Sequence, residues 1–235
     1  PLNSFNIKMP EEINRILTDR ISDVLFCPTN QAVKNLYNEG FQNFDCQIIK
    51  NGDVMQDAAL YYKKIAKKPH FDLAEKFALL TMHRAENTDD LEKLKNIISA
   101  LNEIHQKMPV VWLIHPRTKH IIEKHSIGVD FHIYDPVGYL EMIYLLEHCS
   151  LVMTDSGGLQ KEAFFFSKNC VTLREETEWV ELIEGGFNVL VGSDVDKIKK
   201  GFDTMLSKKN DFTVNLYGNG QASNTIATEL LTHIK

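Results

Sequence analysis

Short apolar runs alternate with amphipathic stretches along most of this chain, a pattern that predicts βαβ units on a parallel sheet. Phe77–Met82, Val110–His115, Phe131–Tyr134, Leu151–Thr154, Cys170–Leu173 and Val189–Gly192 read as strands. Within them Phe77–Leu80, Val110–Ile114 and Leu151–Met153 are apolar throughout, as a sheet covered on both faces requires. Asp89–Lys107, Thr118–His125, Tyr139–Glu147, Leu159–Phe166, Glu178–Glu184 and Asp194–Leu206 read as the intervening helices. Residues 68–208 therefore read as one complete doubly wound α/β domain.

The pattern before residue 68 is less complete. Residues 1–9 are mixed and loop-like. Pro10 suits a first helical position and Glu11 a first turn, while Ile13, Ile16 and Leu17 share one face. Asp23–Cys27 reads as a strand, with Thr29 or Asn30 capping a helix Gln31–Glu39 that stops at Gly40. Cys46–Ile49 is a second short strand, Asn51-Gly52 a turn, and Asp57–Lys67 a helix broken at Lys68-Pro69. Asn210–Asn224 reads as a loop before a last helix, Thr225–Ile234. So few strands cannot make a sheet covered on both faces. Residues 1–50 are thus expected to be the remnant of another Rossmann-like domain, cut at Pro1. Residues 51–67 would connect it to the domain 68–208, and 209–235 would pack back on the first domain.

Composition narrows the partners. The 235 residues, 43% hydrophobic and 25% charged, are ordinary for a globular chain. A net charge of −6 argues against a general nucleic-acid or anionic-membrane surface, so neither partner is expected. No run of 18 apolar residues and no basic-then-apolar leader occurs. Cys27, Cys46, Cys149 and Cys170 lack CxxC spacing and read as buried free thiols, which suits a reducing cytoplasm.

The candidate chemistry lies where the strands end. Thr154-Asp155-Ser156-Gly157-Gly158 follows an apolar run and precedes a helical pattern, an arrangement that makes an anion site from first-turn N–H groups and the helix dipole. Glu162, one turn into that helix, is within reach of a sugar hydroxyl near a bound phosphate. The plainer alternative is a strand–turn–helix corner that binds nothing. Four other strand ends carry His83-Arg84-Ala85-Glu86-Asn87, His115-Pro116-Arg117, Asp135-Pro136-Val137-Gly138 and Arg174-Glu175-Glu176-Thr177-Glu178. In such sheets all five sets share one rim. A metal on His83 and His115 is an alternative, although neither has an HxxxH or CxxC partner. A nucleophilic Ser156 is another, although the GxSxG elbow is missing.

In series, Thr81-Met82-His83-Arg84-Ala85-Glu86-Asn87, His115-Pro116-Arg117-Thr118, Asp135–Leu140 and Thr154–Ala163 closely resemble the non-hydrolysing UDP-N-acetylglucosamine 2-epimerases. Pro10-Glu11-Glu12-Ile13-Asn14-Arg15 and Tyr217-Gly218-Asn219-Gly220 match further motifs of that family. The resemblance implies a GT-B-type fold of two Rossmann-like domains, the C-terminal one complete and the N-terminal one only partly present. It implies that UDP-GlcNAc and UDP-ManNAc interconvert by elimination and re-addition of UDP, with no cofactor and no metal. It also implies a UDP-sugar substrate, a homodimer when full length, and a place in surface polysaccharide synthesis. Glu11 and His83 would be catalytic. His115, Ser156 and Gly157 would hold the diphosphate, with Gly158 at the helix start and Glu162 on the ribose. Arg84, Glu86, Arg117, Arg174 and Glu178 complete the candidate substrate-binding set. The plainer alternative leaves Glu11 to favour a helix N-terminus, with Arg15 as its ion partner.

Two departures stand out. Pro1-Leu2-Asn3-Ser4 replaces the family's Glu-Ala-Gly-Leu-Arg-Ser, so part of the expected catalytic set is absent. Thr177-Glu178-Trp179-Val180-Glu181 stands where many members have Thr-Glu-Arg-Pro-Glu. The Trp form is similar to relatives acting on UDP-2,3-diacetamido-glucuronic acid. A hydrolysing form and an inactive UDP-binding fragment are the remaining alternatives.

Overall fold

The computed structural model describes residues 10–233. The loop-like reading of residues 1–9, the Pro1–Ser4 departure and the end of the last predicted helix lie outside them. The described chain divides into two units. One contains the residues up to Tyr61 and those from Thr213 on, and the other is Tyr62–Phe212.

In the first unit, strands β1 (Val24–Cys27) and β2 (Gln47–Lys50) pair in parallel, Leu25 opposite Ile48. Helix α1 spans Pro10–Arg20 and α2 spans Asn30–Asn38. Thr29 caps α2 by accepting from Ala32 N, and Gly40 takes the left-handed conformation that ends it (φ 85°). Leu25, Cys27, Ala32, Leu36 and Phe41 form a small core. Helix α3 (Val54–Lys63) carries the division between the units. It starts three residues before the expected Asp57, because the Asp53 carboxylate accepts from Met55 N. Asp57 instead caps another helix: its carboxylate accepts from Ala222 N and Ser223 N at the start of α11 (Ala222–His233). That cap starts α11 three residues before the expected Thr225.

The second unit holds six parallel strands: β3 (Ala78–Met82), β4 (Val110–Ile114), β5 (Ile133–Tyr134), β6 (Leu151–Thr154), β7 (Cys170–Thr172) and β8 (Asn188–Leu190). Their order is β5-β4-β3-β6-β7-β8, with Thr81 opposite Thr154 where β3 meets β6. Chain direction across the sheet reverses at that pair, so the crevice beyond its C-terminal ends is the topological switch point. Ala78, Leu80, Met82, Trp112, Ile114 and Met153 face one core, built with α5 (Leu91–Lys107) and α10 (Val195–Ser207). Leu79, Val111, Leu113 and Val152 alternate with them and are equally buried on the other face. Both sheet faces are therefore covered, which explains the uninterrupted apolar strands.

The remaining helices are α4 (Ala85–Thr88), α6 (Pro116–Lys124), α7 (Tyr139–His148), α8 (Gly157–Phe165) and α9 (Val180–Glu184). The α4 turn was not expected from the sequence. Helix α6 begins at Pro116 because His115 caps it, and α8 begins at Gly157 because Ser156 caps it. The two glycines thus form the first turn of α8, not a turn ahead of it. Cys149 and Cys170 are buried free thiols, and burial pushes both up to about 12, which keeps them protonated near neutrality. Among the described residues no helix is long and apolar enough to cross a membrane.

Candidate active site

The switch point is fastened by side chains. Thr81 Oγ1 and Thr154 Oγ1 lie 2.7 Å apart, and Thr154 Oγ1 accepts from Ser156 N at 2.9 Å. Asp155, fully buried, reaches from the end of β6 to the loop after β3. Its carboxylate accepts from His83 N at 3.1 Å, Arg84 N at 2.9 Å and Asn87 Nδ2 at 3.2 Å. Three donors satisfy a charge that burial alone would penalise. They also fix the backbone that carries His83. Its own imidazole stands 3.6 Å from Asp155 and is half exposed.

A cavity of about 310 Å³ opens there, and His83, His115, Ser156, Gly158 and Glu162 line it. The His115 Nδ1 accepts from Arg117 N at 3.3 Å. In neutral imidazole the proton then sits on Nε2, which is left as a donor. Ser156 Oγ accepts from Leu159 N, so the N–H groups of Gly157 and Gly158 have no partner within their helix. Donors and the positive end of α8 therefore converge on one side of the cavity. On the same helix Glu162 is 7% exposed and accepts from Tyr139 Oη at 3.1 Å. Burial pushes its carboxyl above the ordinary range, against the Tyr139 hydrogen bond and the nearby Lys161 charge.

Four other candidates form an ionic cluster beside the cavity. Arg174 Nη1 donates to Glu178 Oε2 at 2.8 Å, and its Nε lies 3.5 Å from Glu86. Arg84 Nη2 is 4.0 Å from Glu178. The carboxylates of Glu86 and Glu178 thus answer arginines within the protein. Glu178 also crowds Gly157: a Cβ there would lie 2.3 Å from the end of its flexible side chain. Trp179 is 3% exposed, and the Lys161 ammonium sits 4.2 Å from its ring centroid. Arg117 is not among the residues lining the cavity. It pairs at the surface with Asp89.

Glu11 belongs to the first unit and is exposed on α1. Arg15 is not its partner. The guanidinium is held by Glu12 at 2.7 Å, Asp19 at 2.8 Å and Glu39 at 2.9 Å. Glu12 is the neighbour that faces inward, and Glu39 comes from the end of α2, a contact that no local spacing reveals. Among the described residues no group of three or more His, Cys, Asp or Glu is arranged to hold a metal ion. Asp155, Tyr139 and the Thr81–Thr154 pair went unassigned in the sequence. All four stand in the quoted motifs, which is the signal that could have found them.

A sequence model described as UDP-N-acetylglucosamine 2-epimerase matches residues 2–231. The chain belongs to the UDP-N-acetylglucosamine 2-epimerase family. Members of this epimerase family are isomerases. A Pseudomonas aeruginosa relative, UDP-2,3-diacetamido-2,3-dideoxy-D-glucuronate 2-epimerase, is 54% identical over 97% of this chain. The chain spans 65% of that relative's length. A Methanocaldococcus jannaschii UDP-GlcNAc 2-epimerase, solved in complex with UDP-GlcNAc and UDP, superposes with a TM-score of 0.87. It is 40% identical, over 98% of this chain and 67% of that one. The Neisseria meningitidis UDP-GlcNAc 2-epimerase bound to UDP-GlcNAc gives a TM-score of 0.81 at 29% identity, over 98% of this chain and 68% of that one. The fold is accordingly that of the GT-B-type epimerases.

Proposed function

We propose that this chain supplies the UDP-binding portion of an enzyme that inverts C2 of a UDP-linked 2-acetamido sugar. The observation that carries this reading is the cavity at the β3–β6 switch point. There the N-terminus of α8, Ser156 and His115 face a site that also holds Glu162. In this reading the helix N-terminus and His115 receive the diphosphate, and Glu162 receives the ribose hydroxyls. A proton leaves C2, its electron pair forms the C1–C2 double bond, and the C1–O pair departs with UDP. Re-addition of UDP at C1 and a proton on the opposite face of C2 completes the inversion. Donors that stabilise the departing diphosphate lower the barrier to both halves. His83, held by the Asp155 network, is the proposed catalytic residue on this side of the reaction. Glu11 is proposed for proton exchange from the family motif. The domain 68–208 as the UDP-binding half, and assembly as a homodimer, belong to the same proposal.

Two substrates compete. UDP-GlcNAc is the substrate named for most relatives. UDP-2,3-diacetamido-2,3-dideoxyglucuronate is favoured by the 54% identity to the Pseudomonas enzyme and by Trp179 in place of Arg. The test is to incubate the protein with each nucleotide sugar in deuterated water and follow C2 by NMR. Deuterium at C2 together with the C2 epimer supports the proposal and names the sugar. Free UDP with a released sugar replaces it with hydrolysis. Protection by UDP against unfolding, without exchange on either sugar, reduces it to binding alone.

A further inference from the structure

Glu162 is the acidic residue among those lining the cavity, and it is nearly out of solvent's reach. Such a carboxylate must be charged to accept strongly from a ligand's hydroxyls, and burial opposes the charge. Its Oε1 is engaged by the Tyr139 hydroxyl at 3.1 Å, and the carboxylate makes no other hydrogen bond among the described residues. Tyr139 is itself well placed to act as a fixed donor. It opens α7, whose first turn is closed by Gly138 N donating to Glu141 Oε2 at 2.9 Å. Lys67 N donates to the carbonyl of the next residue, Leu140, at 3.1 Å. The Tyr62 ring meets the Tyr139 ring edge-on, with centroids 5.5 Å apart. Burial and the adjacent carboxylate push the phenol above its ordinary range, so it stays a protonated donor. The titratable and charged groups around Glu162 are Tyr139 from α7, Lys161 from its own helix, and Tyr62 from α3 behind Tyr139. His83 and His115 line the same cavity.

We propose that Tyr139 is a positioning residue: its hydroxyl holds the Glu162 carboxylate ionised and turned so that the remaining oxygen meets the 2′- and 3′-hydroxyls of a ribose. This rests on the UDP reading of the cavity. Tyr139 touches the carboxylate and not the reacting atoms. Its loss therefore weakens nucleotide binding and leaves the bond-breaking groups in place. With its donor gone, the carboxyl keeps its proton to higher pH, and ribose recognition fails earlier on acidification.

The test compares Tyr139→Phe with the parent protein, using UDP and 2′,3′-dideoxy-UDP as probes in calorimetric titrations from about pH 5 to about pH 8. Phenylalanine keeps the ring against Tyr62 at a site that is 42% exposed, so the fold is preserved. The parent is expected to prefer UDP over the dideoxy nucleotide. Tyr139→Phe is expected to lose about tenfold in UDP affinity near pH 6, the scale of one hydrogen bond to a charged group. Its affinity for dideoxy-UDP is unchanged, and the acid limb of its UDP profile moves to higher pH. His83 and His115 are present in both proteins, so what they contribute cancels in the comparison. In a Glu162→Gln background the Tyr139→Phe change adds no further loss. The same preference and pH profile in Tyr139→Phe as in the parent overturn the inference. Equal losses for both nucleotides overturn it too, because they mark a packing role. Failure of the parent to tell the two nucleotides apart removes Glu162 from the ribose, and the inference falls with it. That failure is read on the parent alone, so the two are distinguishable.

Discussion

Asp155 has no exposed surface, yet it joins three donors, His83 N and Arg84 N after β3 and Asn87 Nδ2 in α4, to the end of β6. An Asp155→Asn variant puts an amide where an acceptor is needed by two backbone N–H groups. We expect it to cost roughly 3 kcal/mol in urea unfolding, the scale for breaking a buried charged network. Glu162 carries the opposite balance. Its carboxyl is held above the ordinary range, so the folded state binds a proton that the unfolded state releases. Stability from this group is then full below the unfolded carboxylate range and declines as pH rises through the folded value. Glu162→Gln is accordingly expected to raise the melting temperature near pH 7 and to leave it almost unchanged near about pH 4. Calorimetry at the two pH values checks this, and a shift larger at the acid end would reverse the assignment. Asp90 and Asp194, read as part of their helices, prove to be the caps just ahead of them, whereas the Thr29 cap was legible because it acts within three residues of itself. The partners of Arg15, Arg117 and Glu162 were not, because Glu39, Asp89 and Tyr139 lie 23 to 28 positions away in sequence.

Helix α8 is buried on nearly every side from Leu159 to Phe164, polar residues included. Each polar side chain has a specific answer: Thr177 donates to Gln160 Oε1 at 2.8 Å, the Trp179 ring lies under Lys161, and Tyr139 donates to Glu162. A helix so enclosed cannot easily shift, so its N-terminus is a rigid donor set. The caps of α8 and α5 separate structural from functional effects. Asp90 accepts from Glu92 N and Lys93 N at the start of α5, and neither Asp90 nor those neighbours line the cavity. Asp90→Ala and Ser156→Ala are each expected to lower stability by about 1 kcal/mol through the lost cap. Only Ser156→Ala is expected to weaken UDP binding as well, roughly tenfold, as one lost hydrogen bond to a charged ligand would. Denaturant midpoints and calorimetric affinities on the same samples check both halves. Unchanged affinity in Ser156→Ala would remove its hydroxyl from the diphosphate. The position of α8 in sequence was plain, but its enclosure was not. Its amphipathic signal is weak because it has almost no solvent face.

Each unit of the chain has its own core, the larger built on six strands and the smaller on two. Alternating strands and helices made the parallel sheet legible. Pairing β3 with β6, which creates the crevice, is a long-range choice that no local pattern expresses. A ligand confined to the second unit stabilises that unit by mass action alone. UDP at a hundred times its dissociation constant should add about 2.7 kcal/mol to it. That corresponds to a rise of roughly 5–10 °C in its unfolding midpoint. Unfolding monitored at Trp112 and Trp179, both in this unit, follows that transition. A rise confined to signals from the first unit would move the site elsewhere.

The crowding at Gly157 also bears on how such an enzyme can diverge over generations. A side chain there must turn the Glu178 carboxylate aside, which a flexible side chain allows, but the turn loosens its 2.8 Å pair with Arg174. Changes at positions 157, 174 and 178 are therefore coupled, and their effects on stability are not expected to add. Divergence in this cluster beside the cavity therefore favours paired changes over single ones.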